Sequence, residues 1–149
     1  MSVSLKCQYA LRALFELAKR QESGLVTVAD IASRQAIPPR FLENILNQLR
    51  GGGFVSSTRG TNGGYVLARP AKEIAVGEII RFIEGPMHPV DCVGDKPAHK
   101  CPLKGNCVFM SLWDDARKAL EAVYDSRTLQ HLVDDEAKMT PAVAESYCI

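Results

Sequence analysis

The chain has 149 residues, of which 46% are hydrophobic and 23% are charged, a composition typical of one globular domain or a small domain with an appendage. No apolar run approaches the roughly 20 residues that a membrane-spanning helix needs. The first residues, MSVSLKCQYALRAL, also lack the long apolar segment of a secretory signal. We therefore expect a cytoplasmic protein that does not enter a membrane.

Charge is unevenly distributed along the chain, although the net charge is only +1. Residues 1–70 contain nine Lys and Arg against four Asp and Glu, whereas residues 71–149 contain nine against thirteen. A basic first half joined to an acidic second half favours contact between the first half and a polyanion such as nucleic acid.

The first 53 residues predict three helices. Apolar residues recur at helical spacing over residues 5–20 and predict an amphipathic helix. Thr27 followed by Asp30 resembles a capping box and predicts the start of a short second helix. The proline pair at 38–39 predicts the start of a third helix, because proline is tolerated in a first turn, and the glycines at 51–53 end it.

A short helix, a tight turn and a second helix are typical of a helix-turn-helix, whose second helix enters the major groove of DNA. The polar side chains of this second helix suit base edges, because Asn and Gln can bind adenine, Arg can bind guanine and Glu can accept from cytosine. The candidate DNA-contacting residues of this region are Thr27, Pro39, Arg40, Phe41, Glu43, Asn44 and Gln48.

The next segment predicts a β-hairpin that would form a wing. Two β-prone runs, Phe54–Thr58 and Tyr65–Ala68, flank the turn-forming sequence RGTNGG. In this turn Asn62, Gly63 and Gly64 can supply positive φ angles. We expect Arg59 to enter a minor groove, where narrow A·T-rich tracts concentrate negative potential. The candidate DNA-contacting residues of the wing are Thr58, Arg59, Asn62, Gly63, Gly64 and Tyr65.

The second half predicts two helices separated by a cysteine-containing loop. Apolar residues between 76 and 83 predict a helix that packs beneath the hairpin. A long helix is predicted to begin near Val108, with a heptad-like stripe formed by Leu112, Ala116, Ala119 and Val123. We expect this stripe to pair two copies into a homodimer that presents two recognition helices to a pseudo-palindromic operator.

Four regions follow from these patterns. Residues 1–85 form a winged helix-turn-helix domain of mainly α class, and residues 86–107 form the cysteine-containing loop. Residues 108–133 comprise the dimerisation helix and a short final helix that begins at Thr128. Residues 134–149 show no periodicity, and we expect them to be mobile.

The loop DCVGDKPAHKCPLKGNC places three thiols in a stretch that offers no helix or strand to bury them. A Gly- and Pro-rich loop can wrap thiolates around a soft metal centre. This favours an iron–sulfur cluster with two or four iron atoms. A zinc site that includes His99 and a thiol switch that forms a disulfide are the alternatives. The other two cysteines, Cys7 and Cys148, have no assigned role.

Two stretches, ADIASRQAIPPRFLENILNQLR and VSSTRGTNGGYVLARPAKEIAVGEII, resemble the Rrf-two family of bacterial winged-helix transcriptional regulators, of the IscR/NsrR-like, iron–sulfur cluster type. The resemblance covers roughly residues 1–133. It implies a homodimeric DNA-binding regulator that senses iron–sulfur status, redox state or nitric oxide. It also implies an iron–sulfur cluster held by three cysteines before the long helix, at the positions of Cys92, Cys101 and Cys107.

The chain departs from the family pattern at the cluster. The family has five residues in each gap between ligands, whereas this chain has eight and then five. Met110 occupies the position of a histidine ligand in IscR-like members, and Gln8 matches the first-helix ligand of NsrR-like members. Cys7 and His99 are further candidates for the fourth ligand.

Three other functions remain as alternatives or are not expected. A regulator of the same fold could lack the cluster, or bind zinc, and respond to a small molecule or to thiol oxidation. An electron or cluster carrier is a remote alternative, because it would leave the basic helix-turn-helix without a purpose. An enzyme is not expected, because the three histidines are scattered and no phosphate loop or nucleophile–base pair is found.

Overall fold

The computed structural model describes residues 2–93 and 101–144. It is mainly helical with one two-stranded antiparallel hairpin, which confirms the predicted fold class. In chain order the elements are α1 (Leu5–Lys19), α2 (Val28–Gln35), α3 (Pro39–Gly51), β1 (Val55–Thr58), β2 (Gly64–Leu67), a short 3-10 helix (Ala71–Glu73), α4 (Val76–Glu84), α5 (Met110–Asp125) and α6 (Leu129–Ala144). None of the helices in the described part of the chain is both long and apolar enough to cross a bilayer.

Local signals set the boundaries of α2 and α3. The Thr27 hydroxyl accepts a hydrogen bond from the Asp30 amide at 3.1 Å, so Thr27 is the N-cap of α2. Helix α2 ends where Ala36 adopts a left-handed conformation with φ of 49°. Helix α3 then starts with Pro39 at its first position. These boundaries agree with the sequence prediction, because each rests on a few neighbouring residues.

The core is built around α1, which packs against both α2 and α3. Leu14 and Leu17 of α1 are almost completely buried, as are Leu42 and Leu46 of α3. Burying side chains of this size stabilises the fold by about 1.5–3 kcal/mol each. The amphipathic faces of the three helices therefore close one common core.

A buried carboxylate ties α1 to α2. Glu16 is only 2% exposed, and its Oε2 accepts a hydrogen bond from Gln35 Nε2 at 2.9 Å. Its Oε1 lies 3.2 Å from Nε of Arg20 and 3.8 Å from Nε of Arg34, without a hydrogen bond of good geometry. Because a buried charge needs such partners, this cluster fixes α2 relative to α1.

The hairpin pairs Val55 with Leu67 and Thr58 with Gly64. Its second strand also bridges to the segment before α2: the Val26 amide donates to the Tyr65 carbonyl at 2.9 Å, and the Tyr65 amide donates back at 2.8 Å. The wing is therefore hydrogen-bonded to the helix-turn-helix at its base.

The turn of the wing differs from its predicted conformation. Gly60 has the positive φ, at 115°, whereas Asn62, Gly63 and Gly64 do not. Gly64 is needed for close approach instead, because a Cβ there would lie 2.7 Å from the Val26 carbonyl oxygen. The expectation of positive φ at residues 62–64 was therefore wrong, because Gly63 and Gly64 are used for close packing: a Cβ at Gly63 would clash with the Thr58 carbonyl oxygen.

Helix α4 packs against the base of the wing, as expected. The rings of Phe82 on α4 and Phe54 before β1 are 5.1 Å apart. Arg69, just after β2, lies over the Phe54 ring and forms an ion pair with Glu78 of α4. These contacts connect α4 to the residues that flank the two strands at the base of the wing.

Helix α6 continues beyond the predicted end of the final short helix. Its start agrees with the predicted start at Thr128, which caps the helix: the Thr128 hydroxyl accepts from the His131 amide at 3.2 Å, and His131 Nδ1 accepts from the Thr128 amide. The helix runs to Ala144, so residues 134–144, predicted to lack regular structure, are helical. An ion pair of 2.7 Å between Lys19 and Glu136 holds this part against α1. Residues 145–149 lie outside the described residues.

Candidate nucleic-acid interface and cysteine segment

Helix α3 points its polar face outward. Leu42, Leu46 and Leu49 are buried, and this leaves the predicted base-contacting side chains on the opposite side of the helix. Of the predicted residues, Pro39, Arg40, Phe41, Glu43 and Asn44 are exposed, and Gln48 is half-buried. The structure therefore groups these six residues on one accessible surface. Thr27 is exposed as well, but its hydroxyl is used to cap α2.

The predicted wing residues divide into two groups. Thr58, at the end of β1, and Arg59 and Asn62, in the connection between the strands, are exposed, whereas Gly63 of this connection is half-buried. Gly64 and Tyr65 are half-buried where β2 meets Val26, and Tyr65 packs against the core. The first group can reach a ligand, whereas the second group holds the wing in place.

Arg50 is a further basic residue at this surface that the sequence analysis did not select. It is exposed in the last turn of α3, and its guanidinium donates a hydrogen bond to the Ser57 hydroxyl of β1 at 3.1 Å. Its charge therefore lies between the recognition helix and the wing. The sequence feature that could have identified Arg50 is a basic residue in the last turn of a helix, just before a run of glycines.

The three loop cysteines are half-buried and carry free thiols. Cys92 follows α4, and Cys107 lies three residues before the start of α5. Three thiols are a suitable donor set for iron. Among residues 2–93 and 101–144, however, no three Cys, His, Asp or Glu side chains are grouped closely enough to hold a metal ion. The three thiols thus have the right chemistry for a cluster, but within the described residues the ligands are not already grouped around one point.

The candidate fourth ligands occupy different surroundings. Cys7 is fully buried between α1 and α4, and burial raises the pKa of its thiol to about 11, with a further contribution from the nearby Glu84. Cys7 is therefore a packed, neutral side chain. Gln8 is exposed, with its Nε2 donating to the Val3 carbonyl at 3.1 Å. Met110 is exposed at the start of α5, and His99 lies outside the described residues.

Helix α5 exposes its predicted stripe. Leu112 is 54% exposed and Val123 is 61% exposed, and none of the residues of α5 is buried. Leu120 and Tyr124, on another side of the helix, pack against the cluster around Cys7 and Ile80. One side of α5 therefore belongs to its own domain, and the stripe forms an open apolar surface.

Together, the helix-turn-helix, the hairpin at its side and the outward polar face of α3 define a winged-helix protein of the DNA-binding class. The Rrf2 family, described as iron-dependent transcriptional regulators, matches residues 3–135. The chain belongs to this family, which confirms the resemblance seen in its sequence. It is accordingly a transcriptional regulator and not an enzyme.

This chain is similar to known proteins of the family over most of their length. The HTH-type transcriptional regulator IscR of Klebsiella pneumoniae is 35% identical over 136 residues, covering 91% of this chain and 82% of the relative. The structure of T. potens IscR is 36% identical with a TM-score of 0.73, covering 91% and 88%. That of CymR, the global cysteine regulator of B. subtilis, is also 36% identical with a TM-score of 0.73, covering 90% and 97%.

Proposed function

We propose that this regulator acts as a homodimer whose operator affinity is set by an iron–sulfur cluster at Cys92, Cys101 and Cys107. The observation that carries the proposal is the position of these thiols. They lie in the connection between α4, which packs on the wing, and α5, which exposes an apolar stripe. The same connection thus joins the DNA-binding part to the surface where a second copy would bind.

Two surfaces would contact a pseudo-palindromic operator. The exposed face of α3 offers Arg40, Glu43 and Asn44 to base edges in the major groove. Arg59 on the exposed wing connection would enter the adjacent minor groove. A two-fold dimer formed through the α5 stripe would repeat both contacts about one turn of DNA apart.

The cysteines would supply three thiolate ligands, and the family description as iron-dependent supports this assignment. When bound, an iron–sulfur cluster supplies a centre whose redox state and integrity respond to oxygen or nitric oxide. Neither Gln8 nor Met110 is a strong iron ligand, and Cys7 is buried as a neutral thiol. We therefore expect the fourth position to be weakly filled, either by one of these side chains, by His99 or by solvent.

Coupling to DNA would pass through α4. With Cys92 and Cys107 held to one centre, the end of α4 and the start of α5 keep one relative position. Helix α4 transmits this position to the wing through the Phe82–Phe54 contact and the Glu78–Arg69 ion pair. A change in the loop would then alter the spacing of the two recognition helices across the dimer.

The test combines spectroscopy with DNA binding on anaerobically reconstituted protein. Visible absorbance and operator affinity are measured for the wild type and for Cys92→Ala, Cys101→Ala and Cys107→Ala. Each loop variant is expected to lose the cluster absorbance and the cluster-dependent change in affinity. Cys7→Ala is the comparison variant, since its thiol is fully buried, and it should retain the cluster absorbance and the response, with at most a change in the stability of the cluster. A loop variant with a full cluster and a normal response would refute the proposal.

A second candidate function is a regulator of the same fold that uses the loop thiols without iron. It is favoured by one observation, namely that the described residues do not gather three metal ligands. In that case the purified protein is colourless, and its operator affinity changes when peroxide oxidises two thiols to a disulfide and is restored by a dithiol reductant. A colourless protein that contains one zinc per chain would instead indicate the zinc-bound form.

A further inference from the structure

Phe41 is an exposed aromatic residue on a helix face that is otherwise polar. It lies in the first turn of α3 and is 63% exposed, while the next apolar residues, Leu42 and Ile45, are buried. A phenyl ring of this exposure adds little to the core. Its position on the recognition helix suggests a contact with a ligand.

The neighbours of Phe41 define what that ligand would be. Asn44 and Gln48 follow three and seven residues later, so the three side chains form one strip along the helix. Arg40 is adjacent and exposed. Pro38 provides no side-chain cap and Pro39 has no N–H, so the exposed polar groups near Phe41 are side chains and not a row of backbone amides. An apolar ring among polar side chains that can read bases favours the major-groove edge of an A·T pair, which carries the thymine methyl group beside hydrogen-bonding groups.

We propose that Phe41 recognises the 5-methyl group of a thymine in the major groove, beside the adenine bound by Asn44. This inference rests on the proposed DNA-binding role of α3. The methyl group is the apolar feature of the thymine edge, and apolar side chains read it by direct contact. Phe41 would thereby set base preference at one position of each half-site.

The test is a double-mutant cycle that removes the methyl group from the DNA and the phenyl ring from the protein, singly and together. A duplex is first selected from a random pool with the full-length wild-type protein. Each thymine of a half-site is then replaced singly by deoxyuridine, which lacks the 5-methyl group. Affinities are measured for the wild type, Phe41→Ala and Phe41→Leu at fixed salt, and folding of each variant is checked by its thermal unfolding.

One thymine per half-site is expected to show coupling. Its replacement should weaken wild-type binding about fourfold, the effect of withdrawing one methyl-sized contact from an apolar surface. Phe41→Ala should bind the thymine duplex more weakly and show no further loss at that position, while Phe41→Leu keeps part of the methyl dependence. Equal sensitivity of the wild type and Phe41→Ala at every thymine would overturn the proposal. If the wild type selects no duplex at all, the proposed DNA-binding function itself fails.

Discussion

The guanidinium of Arg81 on α4 donates two hydrogen bonds to the carboxylate of Asp125 at the end of α5, at 2.8 and 3.1 Å. The two residues are 44 positions apart in the chain and flank the cysteine segment. The hydrogen bond to Asp125 raises the pKa of Arg81, so the guanidinium stays charged. The ion pair is a direct link between α4, which contacts the wing, and α5, which carries the exposed apolar stripe.

Arg81→Gln should therefore reduce the coupling between α4 and α5 and have only a small effect on the stability of the fold. Both side chains are partly exposed, so we expect a loss of less than about 1 kcal/mol in unfolding free energy. The difference in operator affinity between cluster-bound and cluster-free protein should shrink. Arg127→Gln is the control, because it removes a similarly exposed ion pair with Asp135 that does not join α4 to α5. Equal effects of the two variants on this difference would contradict the coupling role.

Two glycine substitutions should differ in their effect on stability, because only one of the two glycines lies at a close backbone contact of the wing. Gly64→Ala places a Cβ 2.7 Å from the Val26 carbonyl oxygen, and we expect it to cost about 1–3 kcal/mol of unfolding free energy and to weaken DNA binding. Gly51→Ala, at the end of α3, meets no atom within 4 Å and should be neutral or slightly stabilising. Urea unfolding of both variants checks this, and equal midpoints would argue against the close approach.

The exposed stripe of α5 should control the oligomeric state. Leu112→Glu and Val123→Glu each place a charge on an apolar surface that would be buried between two copies, so we expect them to dissociate the dimer at micromolar concentration. Leu103→Glu, at a residue that is 60% exposed but outside α5, should leave the dimer intact. Sedimentation velocity distinguishes these outcomes, and a wild-type monomer would exclude this interface.

Removal of single polar groups from the DNA-binding surface should have distinct effects. Arg59→Ala should weaken binding by removing a minor-groove contact. Asn44→Ala should relax base preference by about 1–3 kcal/mol at one position. Titrations against the selected operator and its single-base variants, at matched salt, measure both effects. Unchanged affinity in both variants would mean that the protein contacts DNA elsewhere.

The buried thiol of Cys7 should make stability fall at high pH. Its pKa is about 11 in the folded protein against an ordinary value of 9.0. Below pH 9 both states hold the proton, and the stabilising effect is complete. Between pH 9 and pH 11 only the unfolded state releases the proton, so the free energy of unfolding decreases, by about 2 kcal/mol over this range.

Cys7→Ala has no thiol at this position and should lack this part of the pH dependence. Urea unfolding at pH 8 to 11 under reducing conditions, carried out on wild type and variant, isolates the contribution because other titrating groups cancel. Parallel curves would show that Cys7 ionises in the folded state as readily as in the unfolded state.

Much of the DNA-binding domain was predictable because its signals are local. The Thr27 cap and the proline at position 39 define the starts of α2 and α3 within a few residues. The period of apolar residues in α3 also determined which side chains, Asn44 among them, face away from the core. Capping hydrogen bonds and helical periodicity depend on neighbours in the chain, so a sequence displays them directly.

The remaining features arise from contacts between residues that are far apart in the chain. In the wing, β2 approaches Val26 so closely that a Cβ at Gly64 would lie 2.7 Å from the Val26 carbonyl oxygen, and the positive φ of the turn falls at Gly60. Helix α6 passes residue 133 while held to α1 by Lys19 and Glu136.

The complete burial of Cys7 was likewise decided by packing, although its place in the predicted first helix already separated it from the three loop thiols. Only the meeting of α1, α4 and α5 around Cys7 removes it from solvent. Leu112 and Leu120 are equally apolar members of α5, yet one is exposed and the other packs on this cluster. Their difference follows from which side of the helix the rest of the domain covers, because burial is a property of the assembled fold and not of the residue.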